Sequence, residues 1–128
     1  MIVGLGMDLV DIPRMERLLA NHGEHAIEKL FTDREAAYAH ARAHPARHFA
    51  ARFAAKEAAY KALAGNDLAR GIAWRDMEVL SSPDGSPQLA LHARAAERAA
   101  ELGVTRVLIT LTHSHATAAA VVILEAAP

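Results

Sequence analysis

Two carboxylates that lie far apart in the chain are the best candidates for chemistry. Asp8 stands in the segment Gly4-Leu5-Gly6-Met7-Asp8-Leu9-Val10, and Glu57 stands in Arg52-Phe53-Ala54-Ala55-Lys56-Glu57-Ala58-Ala59-Tyr60-Lys61-Ala62. Aspartate is depleted in β-strands, so an aspartate within an apolar strand pattern indicates a function. Two carboxylates with cations close by match the needs of a Mg²⁺ ion that binds a phosphate.

Three cations accompany Glu57 in its segment: Arg52, Lys56 and Lys61. On a helix, Glu57 and Lys61 have the spacing of an ordinary surface ion pair, which is the simplest interpretation of the pattern. Such a pair contributes only about 0–1 kcal/mol, so stability is a weak reason for the whole cluster. A metal-bound polyphosphate would use both signs, with Glu57 on the cation and the basic side chains on phosphate oxygens.

The histidines offer two weaker candidates. His113 ends a predicted strand, where it is either merely exposed or able to bind phosphate or move a proton. His40, His44 and His48 have helical spacing, but Pro45 breaks their register, so we interpret them as surface residues rather than a zinc site. The chain has no cysteine, which excludes disulfides, thiolate metal sites and a cysteine nucleophile.

The hydrophobic pattern predicts how these residues are positioned. Residues 2–10 alternate as a strand that places Val3 and Leu5 on one face, and Gly6 and Asp8 on the other. Glycines beside Asp8 leave a strip where a ligand or another backbone can approach closely. Glu57 falls in a long alanine-rich helix predicted over 46–64.

The other elements complete an α+β domain with mainly antiparallel pairing. They are helices over 13–20, 24–31, 32–43 and 92–102, a strand over 74–80 paired across a turn with 88–91, and a hairpin of strands over 106–112 and 118–124.

Bulk properties restrict the class of protein. The chain has 128 residues, of which 52% are hydrophobic and 23% charged, as expected for one globular domain. A net charge of −1 argues against an electrostatic nucleic-acid binder. We find no signal-peptide pattern and no apolar run long enough for a membrane span, so we expect a cytoplasmic protein without a membrane partner.

Several segments, in order along the chain, resemble the holo-[acyl-carrier-protein] synthases, which are the small 4′-phosphopantetheinyl transferases. The most specific are Met7-Asp8-Leu9-Val10 followed by Arg14, and Arg52-Phe53-Ala54-Ala55-Lys56-Glu57-Ala58 followed by Lys61-Ala62. Three further segments agree with the family pattern: Gly71-Ile72-x-Trp74-x-Asp76-Met77-Glu78-Val79, Asp84-Gly85-x-Pro87-x-Leu89 and Leu111-Thr112-His113-Ser114.

The resemblance implies Mg²⁺-dependent transfer of phosphopantetheine from coenzyme A to a serine of apo acyl carrier protein, with 3′,5′-ADP as the other product and fatty-acid synthesis as the usual setting. It also implies a sheet against a long central helix and a homotrimer with active sites between subunits. By matching positions, Asp8 and Glu57 would hold Mg²⁺, and Lys61 would neutralise the pyrophosphate. The coenzyme A pocket would be lined by Arg52, Lys56, Gly85, Pro87, Thr112 and His113, and the acidic carrier protein would meet Arg14 and Arg17.

Two other functions use the same residues. A Mg²⁺-dependent nucleotide or pyrophosphate hydrolase would need the same carboxylates and cations but no carrier protein. A non-catalytic trimeric module could bind coenzyme A without chemistry. The chain also departs from the family at residues 64–69, where a slightly longer segment replaces a Gly-Thr-Gly-like turn. We favour the transferase, because several separate motifs appear in the family's order.

Overall fold

The structure is a computed structural model that describes residues 1–64 and 70–128. Its helices and strands follow the order β-α-α-α-β-β-α-β-β, which confirms the predicted α+β class. The elements are β1 Ile2–Asp11, α1 Ile12–Leu30, α2 Asp33–His40, α3 Pro45–Ala64, a 3₁₀ turn at Trp74–Asp76, β2 Met77–Ser81, β3 Pro87–Leu91, α4 Ala93–Glu101, β4 Val104–His113 and β5 Thr117–Ala126.

The strands pair only in antiparallel fashion within the described residues, as the patterns predicted. Strand β5 lies between β1 and β4 in a three-stranded sheet, and β2 and β3 form a separate pair. Ala118, Ala120, Val122 and Leu124 of β5 are buried on the inner face of the larger sheet. Helix α3 packs on this face and contacts both β1 and β5.

Helix α3 is the long central helix that the alanine-rich segment predicted. Alanine loses no side-chain entropy in a helix, and its small size lets other elements approach closely. The helix is therefore buried on several sides, and its buried residues include Phe49 and Leu63 as well as the charged Arg52 and Lys56. A helix buried in this way can bring charged side chains into the interior of the molecule.

The two helices predicted over 13–20 and 24–31 are the two segments of α1. They meet at Gly23, whose φ of 45° lies outside the helical range. Glycine adopts positive φ at little cost, so Gly23 allows the chain to bend and resume the helix.

The Thr32-Asp33-Arg34-Glu35 sequence at the start of α2 matches the capping-box pattern, and the structure shows this box. Glu35 N donates to Thr32 Oγ1 at 3.3 Å, and Thr32 N donates to Glu35 Oε1 at 2.8 Å. The helix ends at His40, earlier than the predicted end at Ala43.

The strand predicted from Trp74 is wrong for its first three residues. Trp74–Asp76 form a 3₁₀ turn, and β2 begins only at Met77. The carboxylate of Asp76 accepts a bond from Ala73 N at 3.0 Å, and its carbonyl accepts one from His92 N at 2.7 Å. These bonds hold a turn in a segment whose apolar residues suggested a strand.

The pairing of β1 with β5 shifts register between Ile2 and Gly4, so the faces predicted for the first residues of β1 are wrong. Ile2 is exposed, as are Leu5 and Met7, whereas Val3 packs against the core. The extra residue of a bulge reverses the alternation of side chains, so Val3 does not share the face of Leu5.

Within residues 1–64 and 70–128, no helix has both the length and the apolar character needed to cross a membrane. Ala64 is the last residue of α3. Gly65-Asn66 is typical of a helix stop. It lies outside the described residues, as do residues 65–69 of the segment over 64–69 that departs from the family pattern.

Candidate functional site

Asp8 reaches the interior because β1 passes very close to α3. A Cβ atom at Gly6 would collide with the carbonyl oxygen of Ala58, and one at Gly4 would collide with that of Ala62. The predicted glycine strip is therefore occupied by the backbone of the central helix rather than left open for a ligand. This close crossing places the next inward-facing residue of β1, Asp8, against α3.

Asp8 and Glu57, predicted separately from two motifs, line one cavity of about 710 Å³, which we call the carboxylate cavity. Burial raises the pKa of the Glu57 carboxyl above its ordinary value, and the neighbouring Asp8 carboxylate raises it further. Two like charges held close together without a bound cation repel each other. Their arrangement therefore suits a cation that both can share.

Lys61 is bonded to the Asp8 carboxylate of this pair. Its Nζ donates to Asp8 Oδ1 at 2.8 Å and to Met7 O at 3.1 Å. The hydrogen bond to Asp8 raises the pKa of Lys61, so the ammonium stays charged. The ion pair of Lys61 with Asp8 replaces the Glu57–Lys61 pair that helical spacing suggested, since the described residues show no ion pair between those two.

The donor set fits Mg²⁺ rather than a transition metal. Within the described ranges, no group of three or more His, Asp or Glu side chains could hold a metal alone. Mg²⁺ commonly binds one or two carboxylates and completes its shell with water and substrate phosphates. Asp8 and Glu57 supply that number of hard oxygen ligands, and the repulsion between them would be relieved by the ion.

The rest of the carboxylate cavity combines basic and apolar residues. Arg14 and Arg17 of α1 line it on one side and are exposed. Phe53 and Trp74, which we call the aromatic wall, line it as well, with ring centroids 5.2 Å apart. We did not predict this wall from the sequence, although Phe53 lies one helical turn before Glu57 and so shares its face.

A second cavity of about 240 Å³, the basic cavity, collects most of the other predicted residues. It is lined by Arg52, Gly85, Pro87, Thr112 and His113, and also by Tyr38 and His48, which the sequence analysis did not assign to it. The turn before β3 supplies the glycine, the first residue of β3 is the proline, and the end of β4 supplies the threonine and histidine.

Positive charge dominates the basic cavity. Arg52 stacks its guanidinium 4.0 Å from the centre of the Tyr38 ring and donates to Ser81 Oγ at 3.1 Å. Burial lowers the pKa of Arg52 and of His48, and the latter is lowered further by the charge of Arg52. A cluster that disfavours its own positive charges attracts an anion such as a phosphate.

The two cavities are separate within one chain. Among the described residues, none lines both. The structure therefore brings Asp8 and Glu57 together, and separately brings Arg52 and His113 together, but it does not join the two groups. Nothing in the local sequence around either motif indicated this division.

Lys56 lines neither of these two cavities, although the resemblance implied that it lines the coenzyme A pocket. Its side chain is fully buried, and its Nζ forms an ion pair with Glu35 at 2.7 Å. Burial lowers the pKa of Lys56, while Glu35 acts in the opposite direction. Neighbouring residues of a helix point in directions about 100° apart, so Lys56 and Glu57 face different surroundings.

Two of the histidines with helical spacing, His40 and His48, pack against aromatic rings. His40 ends α2 and packs its ring 5.3 Å from that of Phe49. His48 lies in α3, with its ring 5.8 Å from that of Tyr38.

Known proteins resemble the chain over its whole length. The family model described as the 4′-phosphopantetheinyl transferase superfamily matches residues 4–121. A relative from Methylobacterium radiotolerans, named holo-[acyl-carrier-protein] synthase, is 48% identical over 100% of this chain and 96% of its own.

Solved structures agree with this match. The acyl carrier protein synthase of Mycobacterium tuberculosis is 40% identical with a TM-score of 0.77, over 99% of this chain and 100% of that one. A holo-(acyl-carrier-protein) synthase from Bacillus anthracis in complex with CoA (3′,5′-ADP) is 29% identical with a TM-score of 0.79, over 99% of both chains. The shared fold and the match of nearly the whole sequence lead to one conclusion: this chain belongs to the 4′-phosphopantetheinyl transferase superfamily.

Proposed function

We propose that the carboxylate cavity is where this chain transfers 4′-phosphopantetheine from coenzyme A to a serine of apo acyl carrier protein. The observation that carries the proposal is the meeting of Asp8 and Glu57 in one cavity, with Lys61 bonded to Asp8. The relatives named holo-[acyl-carrier-protein] synthase and the structure in complex with CoA support the same substrates for this chain.

Asp8 and Glu57 would hold Mg²⁺, which when bound supplies charge neutralisation at the pyrophosphate of coenzyme A. The serine oxygen forms a bond to the β-phosphorus, and the bond from that phosphorus to the bridging oxygen breaks, so 3′,5′-ADP leaves. Asp8, or a water that it orients, is the proposed acceptor of the serine proton, because its carboxylate lines the cavity. Lys61 neutralises developing phosphate charge.

The test is intact-mass spectrometry of an apo acyl carrier protein incubated with this protein, coenzyme A and Mg²⁺. We expect a gain of one phosphopantetheine, which a chelator abolishes. Cleavage of coenzyme A without a gain in carrier mass would indicate the hydrolase instead. No change in either molecule would indicate a binding module. A cytoplasmic location is part of the proposal and is tested by cell fractionation.

The exposed Arg14 and Arg17 at the rim of the carboxylate cavity are proposed to capture an acidic carrier protein. We expect the double variant Arg14→Gln/Arg17→Gln to raise KM for the carrier about 10-fold at low salt, because opposite charges speed the encounter of two proteins. KM should then depend little on salt. Lys29→Gln, on the same helix but outside the cavity, is the matched control and should behave like wild type. A carrier KM of wild type that does not change with salt would contradict this role.

A homotrimer is also proposed, from the outer face of the larger sheet. Leu5, Met7 and Leu9 are 65%, 57% and 60% exposed, and Leu5 pairs across the strands with Ile123 of β5. An exposed apolar strip of this kind is characteristic of a surface that another protein covers. One end of the strip reaches the carboxylate cavity, which Leu9 lines. Thr112 of β4, which is paired with the same β5 residue as Leu9, lines the basic cavity.

We propose that the active site forms where the carboxylate cavity of one subunit meets the basic cavity of the next. The pyrophosphate of coenzyme A would lie at Asp8 and Glu57, and its 3′-phosphate would lie at Arg52 and His113. This division explains why residues that match one family motif set occupy two cavities of a single chain.

Complementation between defective subunits tests this arrangement. Glu57→Gln and Arg52→Met should each be inactive alone, but co-expressed with two affinity tags and purified through both, they should regain activity. In a three-membered ring with both kinds of subunit, about one third of the sites combine two intact halves. Light scattering should give three times the 13.7 kDa of one chain.

The matched control is the pair Glu57→Gln and Asp8→Asn. Both changes affect the same cavity, so no mixed site is intact and no activity should return. Recovery in this control, or a mass of one chain at working concentration, would contradict the shared site.

A further inference from the structure

The buried ammonium of Lys56 has all its hydrogen-bonding capacity used inside the protein. Its three N–H donors meet three acceptors: Glu35 Oε1 at 2.7 Å, Trp74 O at 2.9 Å and Met77 O at 2.6 Å. Its side chain is fully buried, as is that of Glu35. The group therefore has neither a free donor nor a path to a ligand.

Both carboxylate oxygens of Glu35 are also bonded, and they connect other elements to this point. Its Oε1 also accepts a bond from Thr32 N at 2.8 Å, and its Oε2 accepts one from Val79 N at 2.9 Å. The Lys56–Glu35 pair thus joins the start of α2, the middle of α3, the 3₁₀ turn and β2. A buried and fully satisfied polar network favours one arrangement of the elements that it joins.

Two of the joined elements form the carboxylate cavity. The 3₁₀ turn carries Trp74, whose ring packs on Phe53 to make the aromatic wall. Helix α3 carries Glu57, the residue directly after Lys56. Lys56 Nζ donates a hydrogen bond to Trp74 O. This bond ties the 3₁₀ turn to the part of α3 that carries Glu57.

We propose that Lys56 and Glu35 together are positioning residues, which set the distance between Trp74 of the aromatic wall and Glu57 and do not contact coenzyme A. This role rests on the proposed function of the carboxylate cavity. It contrasts with the phosphate-binding role that the position of Lys56 in its motif suggests. Displacing reacting groups by about 1 Å costs as much as about 100-fold in rate, so such a pair affects turnover without touching substrate.

The two roles predict different kinetics for Glu35→Gln and Lys56→Met. If the pair positions the cavity, both variants should lower kcat by about 10- to 100-fold and leave KM for coenzyme A within about 2-fold of wild type. A phosphate contact at Lys56 predicts instead a large rise in KM for Lys56→Met and little effect of Glu35→Gln.

Trp74 supplies a signal that does not depend on activity, because it is the only tryptophan of the chain. If the pair holds the aromatic wall, both variants should shift the emission maximum of Trp74 and increase its quenching by acrylamide. This measurement separates the two proposals: a wild type without transferase activity would refute the proposed function, yet the emission shift would still report the positioning.

Lys56→Met leaves the Glu35 carboxylate buried and unpaired, which is strongly destabilising. If this single variant does not fold, the double variant Lys56→Met/Glu35→Gln provides the test. It removes both charges together at similar volume. Because the pair acts as a unit, the double variant should lose no more kcat than the worse single variant, with the same shift of Trp74 emission.

Arg98→Met is the matched control for a general loss of stability. Arg98 is also buried, and its Nε donates to a backbone carbonyl of α3, Leu63 O, at 2.8 Å, but it does not line the carboxylate cavity. It should lower the melting temperature and leave kcat and Trp74 emission unchanged. The proposal is overturned if Arg98→Met lowers kcat as much as Lys56→Met, or if the double variant raises KM for coenzyme A with unchanged emission.

Discussion

Replacing Glu57 with glutamine is expected to abolish transfer while making the metal-free protein more stable. The carboxylate is half-buried beside Asp8, and both burial and this neighbour disfavour its charge. Loss of metal-supported charge stabilisation of several kcal/mol corresponds to about 10²–10³-fold in kcat/KM. The same change removes the repulsion between the Asp8 and Glu57 carboxylates, which destabilises the fold when no metal is bound.

The pH dependence of this stability gain follows from the raised pKa of Glu57. A group whose pKa is higher in the folded than in the unfolded state stabilises the fold below its unfolded pKa, and this contribution is lost as pH rises through the folded value. The variant keeps a neutral side chain at every pH. Its advantage over wild type should therefore be absent at low pH and appear as the pH rises to neutral.

Thermal melts with chelator at one fixed protein concentration measure the gain. Glu57 is only half-buried, so solvent screens part of the repulsion, and we expect a rise of only about 2–4 °C at neutral pH. Glu28→Gln, an exposed glutamate on α1, is the control and should change neither melting temperature nor transfer. A Glu57→Gln variant that melts below wild type at neutral pH would show that the two carboxylates do not repel each other.

Replacing Gly6 with alanine should have the largest effect on the fold. Its Cβ would collide with the carbonyl oxygen of Ala58 and lie 2.8 Å from the carbonyl carbon and 3.0 Å from Ala62 N. All three are backbone atoms of α3, so no side chain can rotate to make room. Overpacking of this kind costs about 1–3 kcal/mol or more, and here it would also push Asp8 away from Glu57.

Whether Gly6→Ala lowers or raises the stability of the protein distinguishes a steric effect from a conformational one. Gly6 does not have positive φ. Without the collision, Gly→Ala would stabilise by about 0.4–1 kcal/mol through the unfolded chain. Denaturant unfolding and the transfer assay should show loss of both stability and activity. Gly23→Ala, which meets open space at a φ of 45° and lines neither cavity, measures conformational strain alone. Adding Ala58→Gly to Gly6→Ala should not restore activity, because the collision is with backbone. An active, stable Gly6→Ala protein would refute the close crossing.

The local sequence determined most of the elements of this protein. Each of these depends on neighbours in the chain: the alanines of α3, the Thr32–Glu35 capping box and the alternation of β4 and β5. Helix propensity, capping and β pairing across short turns act over a few residues, so their patterns are visible without a structure. The motifs around Asp8 and Glu57 also identified the carboxylates in advance.

Local patterns failed where a distant group decided the outcome. The apolar residues near Trp74 predicted a strand, but Asp76 and His92 hold a turn there, and Lys56 reaches across from α3 to its carbonyl. Lys56 itself shares a motif with Glu57, yet the helix turns it away, toward Glu35 of another helix.

Only the tertiary structure decided which of the candidate residues act together. Asp8 meets Glu57 because two glycines let β1 lie against α3, and a contact between segments so far apart in sequence depends on the packing of the whole core. The same packing left Arg52 and His113 in a different cavity. Residue types and spacing determine what chemistry a chain can do, whereas burial and distance, which arise from long-range packing, decide which side chains share a site.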